Sequence, residues 1–197
     1  MDNNHENYSS PSSNDWESIR QWRQSQRELL IRSRIKIGSK KRKIKLEKLG
    51  LCLAKTLETL DKGMIGFYWP IKGEFDLRNF VEDYLDEGWS AALPAVVDSG
   101  KPLEFRLWTP ETKLIPGVWN IPTPVEQNIV EPSVLIVPLV GFDGDNYRLG
   151  YGGGYYDRTI VSFKNRPYAI GIGLDITRLA TIYPQTHDIP MDEVITV

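Results

Sequence analysis

The chain has 197 residues, 41% of them hydrophobic and 25% charged, with a net charge of −2. That length suits one domain with a sizeable core, and the near-neutral balance argues against nucleic acid or an anionic membrane surface as a partner. The single cysteine, Cys52, excludes an internal disulfide and suits a reducing compartment, so a cytoplasmic location is expected. No apolar run has the length of a membrane span, and no charged-then-apolar signal pattern opens the chain.

Residues 1–15 are polar with little to bury and are expected to form a disordered tail, leaving 16–197 as the folded domain. From Trp16 the pattern is helical. Ile19, Trp22, Leu29 and Leu30 mark an apolar face, and Asn14 or Asp15 is the expected cap. Gly38 and Ser39 interrupt it. A second helix follows to about Leu60, with Ile44, Leu49, Leu53 and Leu57 inward and Cys52 packed among them. The basic run from Arg20 to Lys48 reads as a solvated helix surface, because aromatics do not interleave it as a nucleic-acid face requires.

Met64 to Trp69 reads as a strand ending at Pro70 and Gly73, before a helix over Asp76–Glu87. Glu74 lies at the carboxyl end of that strand, where ligands gather in α/β sheets. Glu74 or Asp76 could equally cap the helix. Two strands follow, Trp89–Pro94 and Leu103–Trp108, with a turn at Asp98 to Gly100. The proline-rich segment from Pro110 to Pro132 is expected to be a long ordered loop. Trp108 reads as a core plug.

The most informative stretch is VPLVGFDGDNYRLGYGGGYYDR, Val137 to Arg158. A β-branched run, Val134 to Val140, predicts a buried strand. Turn residues fill Gly141 to Asn146. Arg148, Gly150, Gly152, Gly153 and Gly154 follow, ahead of a helix that begins near Tyr155 and Tyr156 and ends near Phe163. Glycines between a strand and a helix let a ligand reach backbone N–H groups at a helix N-terminus, an anion site. Arg148 adds a bidentate phosphate donor at the loop's rim, and Asp157 an oxygen ligand for magnesium. The set reads as a nucleotide-phosphate cradle, with a plain glycine-rich turn as the alternative. It is neither a dinucleotide fingerprint, since Tyr155 occupies the needed glycine, nor a P-loop. Gly153, in mid-loop, is expected to need positive φ or phosphate clearance. Tyr168–Leu174 is a further strand, Thr181–Pro190 a loop holding His187 and Asp188, and Glu193–Val197 a last strand. The His-Asp pair lacks the nucleophile motif of a hydrolase. The expected fold class is α/β: a single domain with a mixed, mostly parallel sheet, helices on both faces and an N-terminal helical pair.

RLGYGGGYYDR with the preceding VPLVGFD resembles the signature of the 5-formyltetrahydrofolate cyclo-ligase (5,10-methenyltetrahydrofolate synthetase) family. YWPIKGEFD, WNIPTP and HDIPMDEVIT resemble further family segments in the same order. The resemblance implies ATP-dependent closure of 5-formyltetrahydrofolate to 5,10-methenyltetrahydrofolate. Other readings are a nucleotide-binding paralogue without catalysis and a ligase for another heterocycle. It implies that Leu149, Gly150, Tyr151, Gly152, Gly153, Gly154, Tyr155 and Tyr156 join Arg148 around ATP, and that Asp157 and Asp188 hold magnesium. Glu74, Trp69, Trp119 and Tyr155, with Gly152 and Gly154, would receive the folate, Trp119 by stacking. Arg148 and Tyr155 would act in catalysis. The family's first helix carries Lys-x-x-Leu-Arg against the phosphates. Ile19-Arg20 matches its end, Trp16 replaces its lysine, and Arg20 with Arg23 would make the contact. Small molecules are the only partners implied, with no nucleic acid, no membrane and no stated oligomeric state.

Overall fold

A computed structural model describes residues 15–197. The expected tail lies outside them, apart from Asp15, whose carboxylate accepts the Glu17 and Ser18 N–H groups and caps α1 (Trp16–Ile35). Helix α2 (Ser39–Leu57) closes three residues before the expected end. Leu49, Leu53 and Leu57 repeat every four residues and are buried on one stripe. Ile44 and Cys52, expected inside, are exposed. Cys52 sits about 100° round the helix from Leu53, and Ile44 about 140° from Leu49, so neither shares the stripe.

The remaining elements are β1 (Met64–Gly66), α3 (Arg78–Asp86), β2 (Ser90–Ala95), β3 (Glu104–Leu107), β4 (Leu114–Pro116), β5 (Pro122–Pro124), β6 (Ile129–Val130), β7 (Val134–Pro138), β8 (Gly141–Phe142), β9 (Arg148–Leu149), α4 (Tyr155–Ser162), β10 (Tyr168–Gly173) and β11 (Glu193–Thr196). Seven strands form one sheet in the order β11-β10-β7-β1-β2-β3-β6. The first five run parallel, and β3 pairs antiparallel with both β2 and β6. Alternation along the strands builds two cores. Ile65, Ala91, Leu93, Val134, Ile136, Ile170 and Ile172 pack on α2 and α3. Ala92, Phe105, Leu135, Val137 and Ala169 face Ile160 of α4. Helices therefore cover both faces of a mixed sheet, as expected. No described helix is long and apolar enough to cross a membrane.

Residues 110–132 differ from the long loop expected there. They contain the β4–β5 hairpin, a 3₁₀ turn over Val118–Asn120, and edge strand β6. Proline tolerates this because short edge pairings leave its missing N–H toward solvent. Trp108 is a core residue, set edge-to-face on Phe67 at 5.0 Å. Helix α1 departs from its expected apolar face. Ile19 is buried, but so are Arg23 and Arg34, while Leu29 is exposed. The helix crosses loops at the carboxyl ends of the parallel strands, which present carbonyl groups rather than apolar surface.

Gly66 lies at the end of β1, central in the sheet. A Cβ there would come within 2.6 Å of Leu135 Cδ2, 2.7 Å of Pro132 Cγ and 2.9 Å of Phe105 Cε1. Gly66→Ala should therefore overpack this core and cost about 1–3 kcal/mol, read as a lower thermal midpoint.

Candidate active site

Ile19, Arg23, Arg27, Leu30 and Arg34 recur at helical spacing on one face of α1, and three of the five are arginines. Arg23 donates to the carbonyls of Ile182 (3.0 Å) and Tyr183 (2.9 Å) and forms a buried ion pair with Asp188 at 2.5 Å. Arg27 donates from Nε to the Gly150 carbonyl at 2.8 Å. Arg34 donates to the carbonyls of Lys72 and Leu139, both at 3.1 Å. Sequence reasoning missed Arg27 and Arg34 because it looked for apolar periodicity. The signal it could have used is the same period carried by arginine.

Of the two expected phosphate contacts, Arg23 is on this face but paired with Asp188, and Arg20 is not on it. Its guanidinium is solvent-exposed and bonds Glu17 within the first turn. Arg27 is the arginine of α1 that meets the backbone of the glycine loop. A Cβ on Gly152 would stand 3.3 Å from its Cζ, so the guanidinium lies against the glycine loop. Burial, then the charge of Arg23, pushes its pKa below the ordinary arginine value. Among the described residues it pairs with no carboxylate, leaving its terminal donors to an incoming anion.

In the glycine loop, Gly152 (φ +96°) and Gly154 (φ +63°) take the left-handed conformation. Gly153, expected to need it, does not. Its constraint is the Tyr155 ring, which an added Cβ would meet at 2.7 Å. Arg148 is also placed differently from the rim position expected. Strand β9 turns it inward, where it is buried and grips Asp157 with both prongs at 3.0 and 2.8 Å. Asp157 Oδ1 also accepts the Ile189 N–H at 3.1 Å, which draws the segment carrying Asp188 alongside. Asp188 Oδ2 in turn accepts the Gln185 N–H at 2.7 Å. Burial alone would raise the Asp188 carboxyl, but the hydrogen bonds from Arg23 and Gln185 and the charges of Arg23 and His187 hold it below the usual carboxylate range.

The structure thus brings Asp157 and Asp188 onto adjoining segments. As hard oxygen donors they suit magnesium in kind. Each carboxylate is already paired with a guanidinium, which supplies the positive charge that a divalent cation would also supply.

Glu74 occupies a separate, deeper position beyond β1. It is buried and does not cap α3. Its Oε2 accepts the Ile71 N–H at 2.9 Å, and its Oε1 accepts the Tyr151 hydroxyl at 2.6 Å. Asp76 takes the Arg78 N–H at the start of α3 instead. Arg34 lies 3.8 Å from Glu74 Oε1 and donates to the Tyr151 oxygen at 2.5 Å. Burial raises the Glu74 carboxyl, and the Tyr151 hydroxyl, the Ile71 N–H and the charges of Arg34 and Lys72 offset this only in part.

Trp119 stands on the β4–β5 hairpin, 67% exposed, its ring edge-to-face with Tyr155 at 5.8 Å. Both Trp119 (φ 56°) and Asn120 (φ 60°) adopt left-handed backbone. Two such residues in succession mark stored strain that presents the indole outward. Tyr155 carries the Arg158 guanidinium over its ring at 5.2 Å, and Tyr156 carries that of Arg148 at 5.7 Å. Trp69 is half-buried beside the core, covered by Arg78 at 4.4 Å.

The sequence profile of the 5-formyltetrahydrofolate cyclo-ligase family matches residues 19–197. The chain belongs to this family. It is 30% identical to the 5-formyltetrahydrofolate cyclo-ligase of Escherichia coli K12 over 139 residues, 67% of this chain and 76% of that protein. The enzyme of the same name from Mycoplasma pneumoniae is 31% identical over 134 residues, covering 66% and 71%. Among solved structures, the Aquifex aeolicus 5,10-methenyltetrahydrofolate synthetase superposes with a TM-score of 0.76 at 29% identity, over 88% of this chain and 89% of that one. The Mycoplasma pneumoniae synthetase gives 0.72 at 25% identity, over 88% and 97%. In this cyclo-ligase chain the arginines of α1 join the family's glycine loop to the loop bearing Asp188.

Because the folded state holds Asp188 below its ordinary pKa, the Arg23–Asp188 pair stabilises the fold above that ordinary value, about 3.9. Its contribution is lost as pH falls through the depressed folded value. Arg23→Met should cost about 3–5 kcal/mol at neutral pH, because it leaves a buried carboxylate unpaired. The deficit in melting temperature against the unaltered chain should shrink on acidification, as followed by circular dichroism across the carboxylate range.

Proposed function

We propose that the chain catalyses ATP-dependent closure of 5-formyltetrahydrofolate to 5,10-methenyltetrahydrofolate, with release of ADP and phosphate, and that residues 16–197 are the catalytic domain. The observation that carries this reading is the convergence of two unlike groups, a guanidinium and a buried carboxylate, on the glycine loop. The glycine loop and the unpaired Arg27 suit a polyphosphate, and the buried Glu74 suits the N–H groups of a pterin. Family membership supplies the chemistry.

In the reaction the formyl oxygen attacks the γ-phosphorus, and ADP leaves. The neighbouring anilino nitrogen then attacks the activated carbon, and the carbon–oxygen bond breaks to release phosphate. No protein nucleophile is needed, so the chain's task is alignment and charge neutralisation. Arg27 and the loop N–H groups hold the phosphates. Arg148 and Arg23 hold Asp157 and Asp188 in place, and Arg23 favours the charged form of Asp188. Glu74 accepts the pterin donors, while the outward Trp119 and the ring of Tyr155 make an aromatic wall for the folate. Magnesium on Asp157 and Asp188, when bound, neutralises phosphate charge. The substrates are small molecules, and the reducing cytoplasm is the compartment proposed.

The direct test is the absorbance of methenyl product from purified protein, magnesium-ATP and 5-formyltetrahydrofolate. Absence of product at every magnesium concentration would overturn the assignment. Two variants check the residues. Arg27→Gln should weaken ATP binding by about 1.5–3 kcal/mol, whereas Arg20→Gln should leave it within about twofold, since an exposed i,i+3 pair contributes little. Equal effects in calorimetry would return the phosphate contact to Arg20. Glu74→Gln should weaken reduced-folate binding by about 1.5–3 kcal/mol.

A further inference from the structure

The space beside Glu74 is small. Arg34, Tyr68, Glu74, Phe75, Leu139 and Ile172 help enclose a cavity of about 10 Å³, room for one water molecule and not for a heterocycle. Both carboxylate oxygens of Glu74 already have donors. One, Ile71 N–H, is backbone and fixed. The other is the hydroxyl of Tyr151, a residue of the glycine loop 77 positions later in the chain. Tyr151 is held from both sides. Arg34 donates to its oxygen, and Arg34 and Lys72 lie over its ring at 5.8 and 5.2 Å. It is also bracketed by glycines. A Cβ on Gly150 would meet nothing within 4 Å, and Gly152 has φ +96°.

From this geometry we infer that Tyr151 is an internal competitor for the folate site: its hydroxyl occupies the Glu74 oxygen that the pterin must take, and it swings out on the Gly150 and Gly152 hinges when the folate enters. This rests on the reading of Glu74 as the pterin acceptor. A tyrosine phenol is a single donor, whereas a pterin's amino and ring N–H groups form a paired donor edge, so the ligand can displace it from a carboxylate. The displaced side chain belongs to the loop that Arg27 ties to the phosphate pocket through the Gly150 carbonyl. Opening the folate pocket therefore moves the phosphate loop, and each substrate acts on the other's affinity. The closed conformation lowers apparent folate affinity by the fraction of open molecules, and this reduction disappears when the competing donor is removed.

The test is calorimetric binding of tetrahydrofolate, which lacks the formyl group and cannot turn over, to the full chain without nucleotide. Tyr151→Phe keeps the ring between Lys72 and Arg34 and removes only the hydroxyl. We expect it to bind tetrahydrofolate about three- to thirtyfold more tightly than the unaltered chain, mostly through faster association. Tighter binding by this variant supports the competition. Unchanged affinity shows that Tyr151 does not compete and overturns it. Weaker affinity makes the hydroxyl a ligand contact and overturns it too. Glu74→Gln, measured in parallel, separates the two levels. If it binds tetrahydrofolate as well as the unaltered chain does, the pterin reading of Glu74 fails and takes the competition with it. If it binds more weakly while Tyr151→Phe is unchanged, only the competition fails.

Discussion

The rest of the structure depends on the burial of arginine by α1. Arg23, Arg27 and Arg34 together donate to the carbonyls of Ile182, Tyr183, Gly150, Lys72 and Leu139. Those groups lie in loops at the carboxyl ends of the strands, where no sheet partner can satisfy them. A guanidinium carries five donors in a fixed fork, so one helix face can anchor several loops at once. An apolar stripe would have left the same carbonyls buried and unpaired, at about 1–3 kcal/mol each. This is why a helix with little apolar periodicity docks firmly.

Arginines, two of them from α1 and one from β9, also set the electrostatics of the site. Glu74, Asp157 and Asp188 are met by Arg34, Arg148 and Arg23 respectively. Each of these carboxylates is partly buried or buried and would be costly alone. Arg27 is the guanidinium left over, and it stands against the glycine loop. The site therefore carries local positive charge at the point where backbone N–H groups are open, although the whole chain is slightly acidic. Anion binding is a property of this one junction and not of net charge.

The parts of the site are held in different ways. The Asp157 and Asp188 segments are fixed by paired arginines and by backbone N–H groups. Trp119 stands on a turn with two successive left-handed residues. Glu74 is met by Tyr151, which stands between two glycines and joins the buried carboxylate to the glycine loop.

Sequence alone determined the α/β class, most element positions and the importance of the glycine loop. These are local matters: β-branched runs of strand length, a leucine stripe at helical spacing in α2, and glycines packed between a strand and a helix. It also placed Glu74 beyond the carboxyl end of a strand, Asp157 just after the glycines and Asp188 in a loop. It did not reveal which arginine of α1 faces the loop, that Arg148 turns inward onto Asp157, or that Tyr151 closes over Glu74. Each of those depends on a partner far along the chain or on the direction a short strand gives a side chain: Arg27 on Gly150, Arg23 on Asp188, Tyr151 on Glu74. Periodicity fixes which residues share a helix face, but not which way that face points. That was decided by packing, when the loop carbonyls at the sheet's edge selected the arginine face of α1 over its leucines.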